Sequence, residues 1–352
     1  MAVYALWNNK GGVGKSYLTF QIASEYARSH PNKKVLVLDL CPQANSSSML
    51  LGGIIDGEAK LDELSVTLPK TTISGYIEDR IHSPYSSPNT GSKFLIQVST
   101  LNKNISPNLF LVPGDEELEL QAPRIVRASF PGPTDAWRLV HSWISDLISD
   151  IVVSWNNQDT TVFIDCNPSF TIYTELALSA SDRLIIPFSA DGSSKRAVRA
   201  VLSLVYGVSR YPGAPQSEYV INSARFRMSV PKIYSYVGNR LTQMNSSSAT
   251  AFKTVVNEIG QEIWSVWKSN PNAFSIHPAG TGAPSNRADF KKMFQAEICD
   301  ANTASVVSGA LGIPISILHA GKKKVASKTI TVNQSQLDRQ QPNLRTLVGT
   351  IE

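Results

Sequence analysis

Two lysines, three glycines and a serine fall within eight consecutive residues, Asn9-Lys10-Gly11-Gly12-Val13-Gly14-Lys15-Ser16. Glycines let a backbone come close to a phosphate group, because no Cβ stands in the way. Lys15 at the end of such a run supplies a point charge for the phosphates, and Ser16 a hydroxyl for Mg²⁺. Two carboxylates belong with them. Asp39 ends the apolar run Val35-Leu36-Val37-Leu38, and Asp165 ends Thr161-Val162-Phe163-Ile164. A carboxylate at the C-terminal end of a buried strand stands where open α/β sheets bind ligands. Asp165 there would hold Mg²⁺; the alternative is a carboxylate that caps a turn or helix. The chemistry within reach of this set is binding of a phosphate-bearing ligand together with Mg²⁺.

The neighbouring segments have to position these residues. Ala2 to Trp7 reads as a buried strand before the loop, and Leu18, Ile22 and Tyr26 mark one face of a helix after it. Strand, glycine-rich turn and helix is the context a phosphate-binding loop requires, with the helix N-terminus turning its N–H groups and positive dipole end toward the anion. A turn that binds nothing would share neither the two lysines nor their spacing. The common pattern G-x-x-x-x-G-K-[ST] has glycine where Asn9 stands; here a second lysine, Lys10, precedes the glycine pair. K-G-G-x-G-K-[ST] resembles the deviant Walker A loop of the ParA/MinD family of P-loop ATPases.

Other segments carry the same resemblance. Asp39-Leu40-Cys41-Pro42-Gln43-Ala44-Asn45 is similar to the family's D-x-D-P-Q-x-N, with Cys41 in place of the second Asp. In the family that carboxylate sits by the attacking water, so the departure bears on hydrolysis. Asp165-Cys166-Asn167-Pro168-Ser169 resembles the Walker B segment D-x-P-P-S. Tyr236 to Arg240 resembles a strand ending in Asn-Arg, whose Asn reads the adenine; the alternative for Asn239 is a turn residue. Ile298-Cys299-Asp300, with Ala304 to Leu311 and Gly312-Ile313-Pro314-Ile315, resembles the family's late stretch, whose first loop borders the base. The resemblance implies ATP and Mg²⁺ as cofactors. It assigns nucleotide contacts to Lys10, Gly11, Gly12, Val13, Gly14, Lys15, Ser16, Tyr17, Asn239 and Asp300. Ser16, Asp39 and Asp165 would serve the metal, and Lys10, Lys15, Asp39 and Cys41 catalysis.

Alternating strands and helices along 352 residues predict an α/β fold, a doubly wound and mainly parallel sheet flanked by helices. The whole chain reads as one P-loop ATPase domain, with variable insertions at about 53–133 and 206–234. Within the first insertion, Leu61 to Leu64 and Ile73 to Ile81 read as short helices, and Phe94 to Val98 and Leu109 to Pro113 as strands. Trp137, Val140, Ile144, Leu147, Ile148 and Ile151 predict one long amphipathic helix, with Trp137 in the core. Leu184 to Phe188 and Tyr219 to Asn222 read as strands, and Phe252, Val256, Ile259 and Ile263 as a helix. Lys322 to Lys324 reads as a solvated turn, and Gln334 to Val348 as a final polar helix too weakly amphipathic to target a membrane.

At 42% hydrophobic and 17% charged the composition is that of a globular chain, and no apolar run is long enough to span a bilayer. The chain enters its first strand directly, which predicts a cytoplasmic protein without a signal peptide or a preceding helix-turn-helix. Three cysteines, Cys41, Cys166 and Cys299, give no disulfide framework and do not resemble the cluster ligands of the nitrogenase-type reductase. A net charge of +5 permits an anionic partner. The resemblance implies an ATP-dependent sandwich homodimer in which Lys10 reaches the partner's phosphates. It further implies sequence-independent DNA binding with nucleoid association, a ParB-like or other activating protein, and a role in DNA segregation or cargo positioning. The residues proposed to meet DNA are Arg225, Arg227, Arg240, Arg287 and Lys291, with Lys232 and Lys292 beside them; solvated surface charge is the alternative for all. The second reading of function is a nucleotide-gated switch or scaffold that hydrolyses poorly and works through protein partners, which Cys41 favours.

Overall fold

The computed structural model describes residues 1–130, 132–209, 211–241 and 247–352; the side chains of 240, 241 and 247–252 lie outside the described residues, and with them Arg240 and Phe252. The strands are β1 (Ala2–Leu6), β2 (Lys34–Leu40), β3 (Ile96–Gln97), β4 (Leu109–Val112), β5 (Thr160–Cys166), β6 (Arg183–Phe188), β7 (Lys232–Leu241), β8 (Gln295–Cys299), β9 (Gly321–Val325) and β10 (Lys328–Val332). The helices of the first half are α1 (Lys15–Ser29), α2 (Asn45–Leu51), α3 (Gly53–Val66), α4 (Ile73–His82), α5 (Leu118–Ser129), α6 (Ala136–His141) and α7 (Trp143–Ser154). Those of the second half are α8 (Ile172–Ser179), α9 (Ser194–Tyr206), α10 (Glu218–Arg225), α11 (Ser247–Ser269), α12 (Arg287–Phe294), α13 (Thr303–Leu311) and α14 (Gln334–Val348).

Eight strands form one sheet in the order β3-β4-β2-β5-β1-β6-β7-β8, parallel throughout except for the short edge strand β3. The near-continuous apolar strands follow from this, since a parallel sheet is covered on both faces. Alternate side chains of β1 feed the two layers: Val3 and Ala5 face one, Tyr4 and Leu6 the other. The first layer is closed by α4 to α12, with Trp143, Tyr173, Tyr219 and Phe290 fully buried. The second is closed by α1, α13, α14 and the β9–β10 hairpin, through Phe20, Tyr26, Val307 and Leu344. Among the described residues no helix is long and apolar enough to cross a membrane.

Four sequence expectations are corrected. Tyr219 to Asn222 lies in helix α10, not a strand: Ser217 Oγ accepts from Val220 N at 3.2 Å, and Tyr219 and Ser223, one turn apart, are the buried residues. Phe94 to Val98 is two 3₁₀ turns around the two-residue β3. The long helix over Trp137 to Ile151 is divided into α6 and α7 at Ser142, whose Oγ donates back to Arg138 O at 2.9 Å, a bond that bends helices. Lys322 to Lys324, read as a turn, lies inside strand β9.

Candidate nucleotide-binding site

The sheet order places β1 between β5 and β6, with β2 beyond β5, so the loop after β1 and the ends of β2 and β5 converge. Register pairs Leu6 with Asp165 and Asp165 with Asp39. The two strand-end carboxylates are therefore neighbours beside the loop that leads into α1. Gly12 and Gly14 have φ of 75° and 79°, the left-handed region that a Cβ makes costly. Gly14 is the N-cap of α1 and has no side chain to cap it, so the first N–H groups of the helix point into the loop.

Lys15 is buried to 6% exposure, and its Nζ donates to Lys10 O at 2.8 Å and Asn8 O at 3.4 Å. Burial pushes its ammonium below the ordinary value, while Asp165, Cys166 and Cys41 oppose that. The loop carbonyls thus hold the cation in place beside the bend. Asn239 is buried at the end of β7, and its Nδ2 donates to Val13 O at 3.0 Å and Gly14 O at 3.4 Å. The residue expected to read the base therefore ties β7 to the phosphate loop. Tyr17 is also inward, with its hydroxyl on Gln340 Oε1 of α14 at 2.9 Å.

The two carboxylates differ. Asp39 Oδ1 accepts from Cys41 N at 3.1 Å; Oδ2 accepts from Ser46 Oγ (2.8 Å), Ser47 N (3.0 Å) and Ser47 Oγ (2.7 Å). It holds the turn after β2 and the start of α2. Asp165 is fully buried, and neither of its oxygens has a hydrogen-bond partner among the described residues. Burial raises its pKa to about 7, with Asp39 adding to the rise, and Ser16, Ser46 and Lys15 oppose it. An orphaned buried carboxylate beside a serine hydroxyl fits a cation that also takes phosphate oxygens, since Mg²⁺ is commonly bound through one or two carboxylates plus substrate phosphates. No group of three or more His, Cys, Asp and Glu among the described residues could hold a metal by itself.

Cys41 and Cys166 both border the cleft, of about 550 Å³, that opens from Gly11, Gly12, Gly14, Lys15 and Ser16. Burial, then Asp39 and Asp165, push the Cys41 thiol up to about 12. It is a neutral group there. The far walls are Met49 and Ile54 from α2 and α3 and Ser305, Val306 and Gly309 from α13. Asp300 does not line this cleft; its Oδ1 accepts from Asn302 N at 2.8 Å in the turn before α13.

Lys10 points elsewhere. Its Nζ is 2.5 Å from Asp191 Oδ2 and 3.4 Å from both Ser189 Oγ and Ser194 Oγ, all on the connection from β6 to α9. Asp191 is in turn held by Ser193 N at 3.0 Å. Burial would raise the Asp191 carboxyl, but Lys10, Ser189 and Ser193 hold it well below its usual range. Sequence reasoning missed Asp191, Ser46 and Ser47. The signal was present in their position, since all follow the C-terminal ends of parallel strands.

The basic candidates are not brought together. Arg225 and Arg227 are exposed at the end of α10, while Arg287 and Lys291 bond back to α11, at Asn257 O (3.0 Å) and Asn257 Oδ1 (2.8 Å). Since α10 packs on α9, α9 on α11 and α11 on α12, the two pairs stand at opposite ends of one helical row.

A family model described as an AAA domain matches residues 1–211. No curated protein matches the chain. Among solved structures, an ATP complex of a McdA variant from Cyanothece aligns with 100% of this chain and 98% of its own at 15% identity, with a TM-score of 0.60. ParA of pNOB8 aligns over 84% of this chain and 81% of its own at 17% identity, with a TM-score of 0.52. At those identities the likeness is one of fold. With the family match covering more than half of its length and the lysine pair set on the glycine loop between β1 and α1, this chain belongs to the ParA/MinD family of P-loop ATPases.

Proposed function

We propose that this protein is a ParA-like nucleotide switch. It binds Mg²⁺–ATP at residues 10–16, closes into an ATP-dependent sandwich dimer, hydrolyses ATP slowly and binds DNA without sequence preference, to segregate DNA or position cargo. The observation that carries this reading is the meeting of the glycine loop, Lys15 and Ser16 with Asp165, whose two buried oxygens have no partner within hydrogen-bond geometry among the described residues. The loop N–H groups and the α1 N-terminus receive the phosphates, and Lys15 adds a charge-assisted bond. Ser16 and Asp165 would hold Mg²⁺, which neutralises phosphate charge. Hydrolysis needs an oriented water, and a neutral buried thiol at Cys41 is a poor acceptor for its proton. That feature favours slow turnover and release prompted by a protein partner, and it keeps the switch with little hydrolysis as the second reading. Calorimetry with Mg²⁺–ATP tests the site. Loss of charge-assisted bonds worth about 1.5–3 kcal/mol should weaken binding roughly ten- to a hundredfold in Lys15→Ala. Wild-type affinity in that variant would overturn the assignment.

A further inference from the structure

Residues 321–332 contain four lysines and no acid. They form the β9–β10 hairpin, turned by Ala326 at φ 52°. Its register sorts the side chains onto two faces. Val325 and Val332 are buried and Ile330 half-buried, and both strands pack on α13. The other face carries Lys322 opposite Thr331 and Lys324 opposite Thr329, all four exposed. The side-chain ammonium groups of Lys322, Lys324 and Lys328 have neither an ion pair nor a hydrogen bond among the described residues. Cations on the opposite face of the sheet differ in this respect: Lys195 and Arg199 of α9 are matched to Glu258 and Glu262 of α11.

We propose that the outward face of this hairpin, Lys322 and Lys324 with Thr329 and Thr331, is a sequence-independent binding surface for the phosphate backbone of duplex DNA. The inference rests on the DNA-binding part of the reading above and gives it a place. Residues two apart on one face of a strand are about 6.7 Å apart, twice the roughly 3.4 Å rise per charge of one DNA strand along the helix axis. A two-stranded ribbon also has the width that the major groove admits. Lysine and threonine both bond phosphate oxygens, and neither pattern reads bases here. A membrane is the poorer match, since an interfacial anchor needs apolar side chains to enter the headgroups and this face has none. Support on α13 matters as well, because Ser305, Val306, Gly309 and Ala310 of that helix wall the nucleotide cleft. The ribbon therefore shares a rigid element with the site that would gate it.

The test is a salt titration of binding to random-sequence duplex DNA, with and without Mg²⁺–ATP. It compares the full chain with Lys322→Glu/Lys324→Glu and with Arg287→Glu/Lys291→Glu; the melting temperature and ATP affinity of each serve as folding controls. The proposal expects the hairpin variant to weaken all sequences alike. Its plot of log affinity against log salt should flatten by about 1.8 units for two lost phosphate contacts, and by more than in the α12 variant. If the wild type binds and the hairpin variant keeps its affinity and slope, the proposal falls while the DNA-binding reading stands. If the wild type binds no duplex at low salt in either state, that reading falls and takes the proposal with it. If the variant loses binding to vesicles of anionic phosphatidylserine but keeps DNA binding, the surface is a membrane contact and the proposal is overturned.

Discussion

Asp165 is a buried carboxylate whose oxygens have no partner within hydrogen-bond geometry among the described residues, and such a charge is costly until something positive arrives. Its pKa is raised to about 7, chiefly by burial and then by Asp39. The sign follows directly. In the unfolded chain the carboxyl ionises near pH 4, while in the fold it keeps its proton up to about 7. Between those values the folded state binds more protons, so stability without cation falls as pH rises, by at most about 1.4 kcal/mol per pH unit. Above pH 7 the loss is complete and level. Asp165→Asn should therefore melt higher than wild type at pH 8 in the presence of a chelator, melt nearly alike at pH 4.5, and lose the stabilisation that Mg²⁺–ATP gives. Equal melting at pH 8 would show the carboxylate to be satisfied by a route other than a cation.

Cys41 belongs to the same scale. Its thiol borders the cleft, where burial, and after it the two carboxylates, keep the group protonated. Cys41→Asp restores an acceptor for the attacking water at the cost of a third negative charge near Asp39 and Asp165. We expect phosphate release to rise roughly tenfold or more, within the range general-base catalysis supplies. ATP affinity should change little and stability without nucleotide should fall. A rate unchanged by Cys41→Asp but abolished by Asp39→Ala would place the water elsewhere.

Among the elements, α4 and α5 are joined by a bidentate pair, Arg124 to Glu78, whose Nη2–Oε1 arm is 3.0 Å. The Arg124 bond holds the Glu78 carboxyl down at about 2. A depressed carboxylate contributes stability above its unfolded pKa, and that contribution is lost as pH falls from about 4.5 through 2. The Glu78 side chain is 42% exposed, so solvent screening limits the pair to about 0.5–1 kcal/mol. Urea unfolding of Arg124→Ala should show that deficit at pH 7 and a narrowing gap toward pH 3.

The same scale shows what the sequence made legible. The glycine loop, the strand-end carboxylates and the parallel core strands were readable, because each rests on local chemistry or a long apolar run. Tyr219-Val220-Ile221-Asn222 looked like a strand because β-branched residues favour one. The Ser217 cap and the packing of Tyr219 against Phe170 overrode that preference, leaving Ile221 51% exposed. The position of Asp191 after a strand end was readable, but its role was not, because that lies in a contact with Lys10 across 181 residues of chain. The hairpin lysines looked like a turn because their strand is defined by its partner and not by its own composition.

At the scale of the whole molecule, the proposed dimer turns on Lys10. In the single chain its ammonium is engaged by Asp191, Ser189 and Ser194, outside the residues that line the nucleotide cleft. If dimerisation hands Lys10 to a partner's phosphates, the pair with Asp191 has to open first. That pair is partly exposed, with 23% of the Lys10 and 46% of the Asp191 side chain open to solvent. Such pairs contribute up to about 1 kcal/mol, equivalent to a shift of roughly fivefold. Asp191→Asn should therefore lower the nucleotide concentration that half-dimerises the protein by about two- to fivefold, and high salt should shrink the difference. Lys10→Ala should block dimerisation while leaving ATP binding to the single chain largely intact. In the Lys10→Ala background Asp191→Asn should have no further effect, since the two act through one contact. Light scattering across an ATP-analogue titration reads all three variants. An Asp191→Asn protein that dimerises less readily than wild type would mean that Asp191 supports the dimer instead of restraining Lys10.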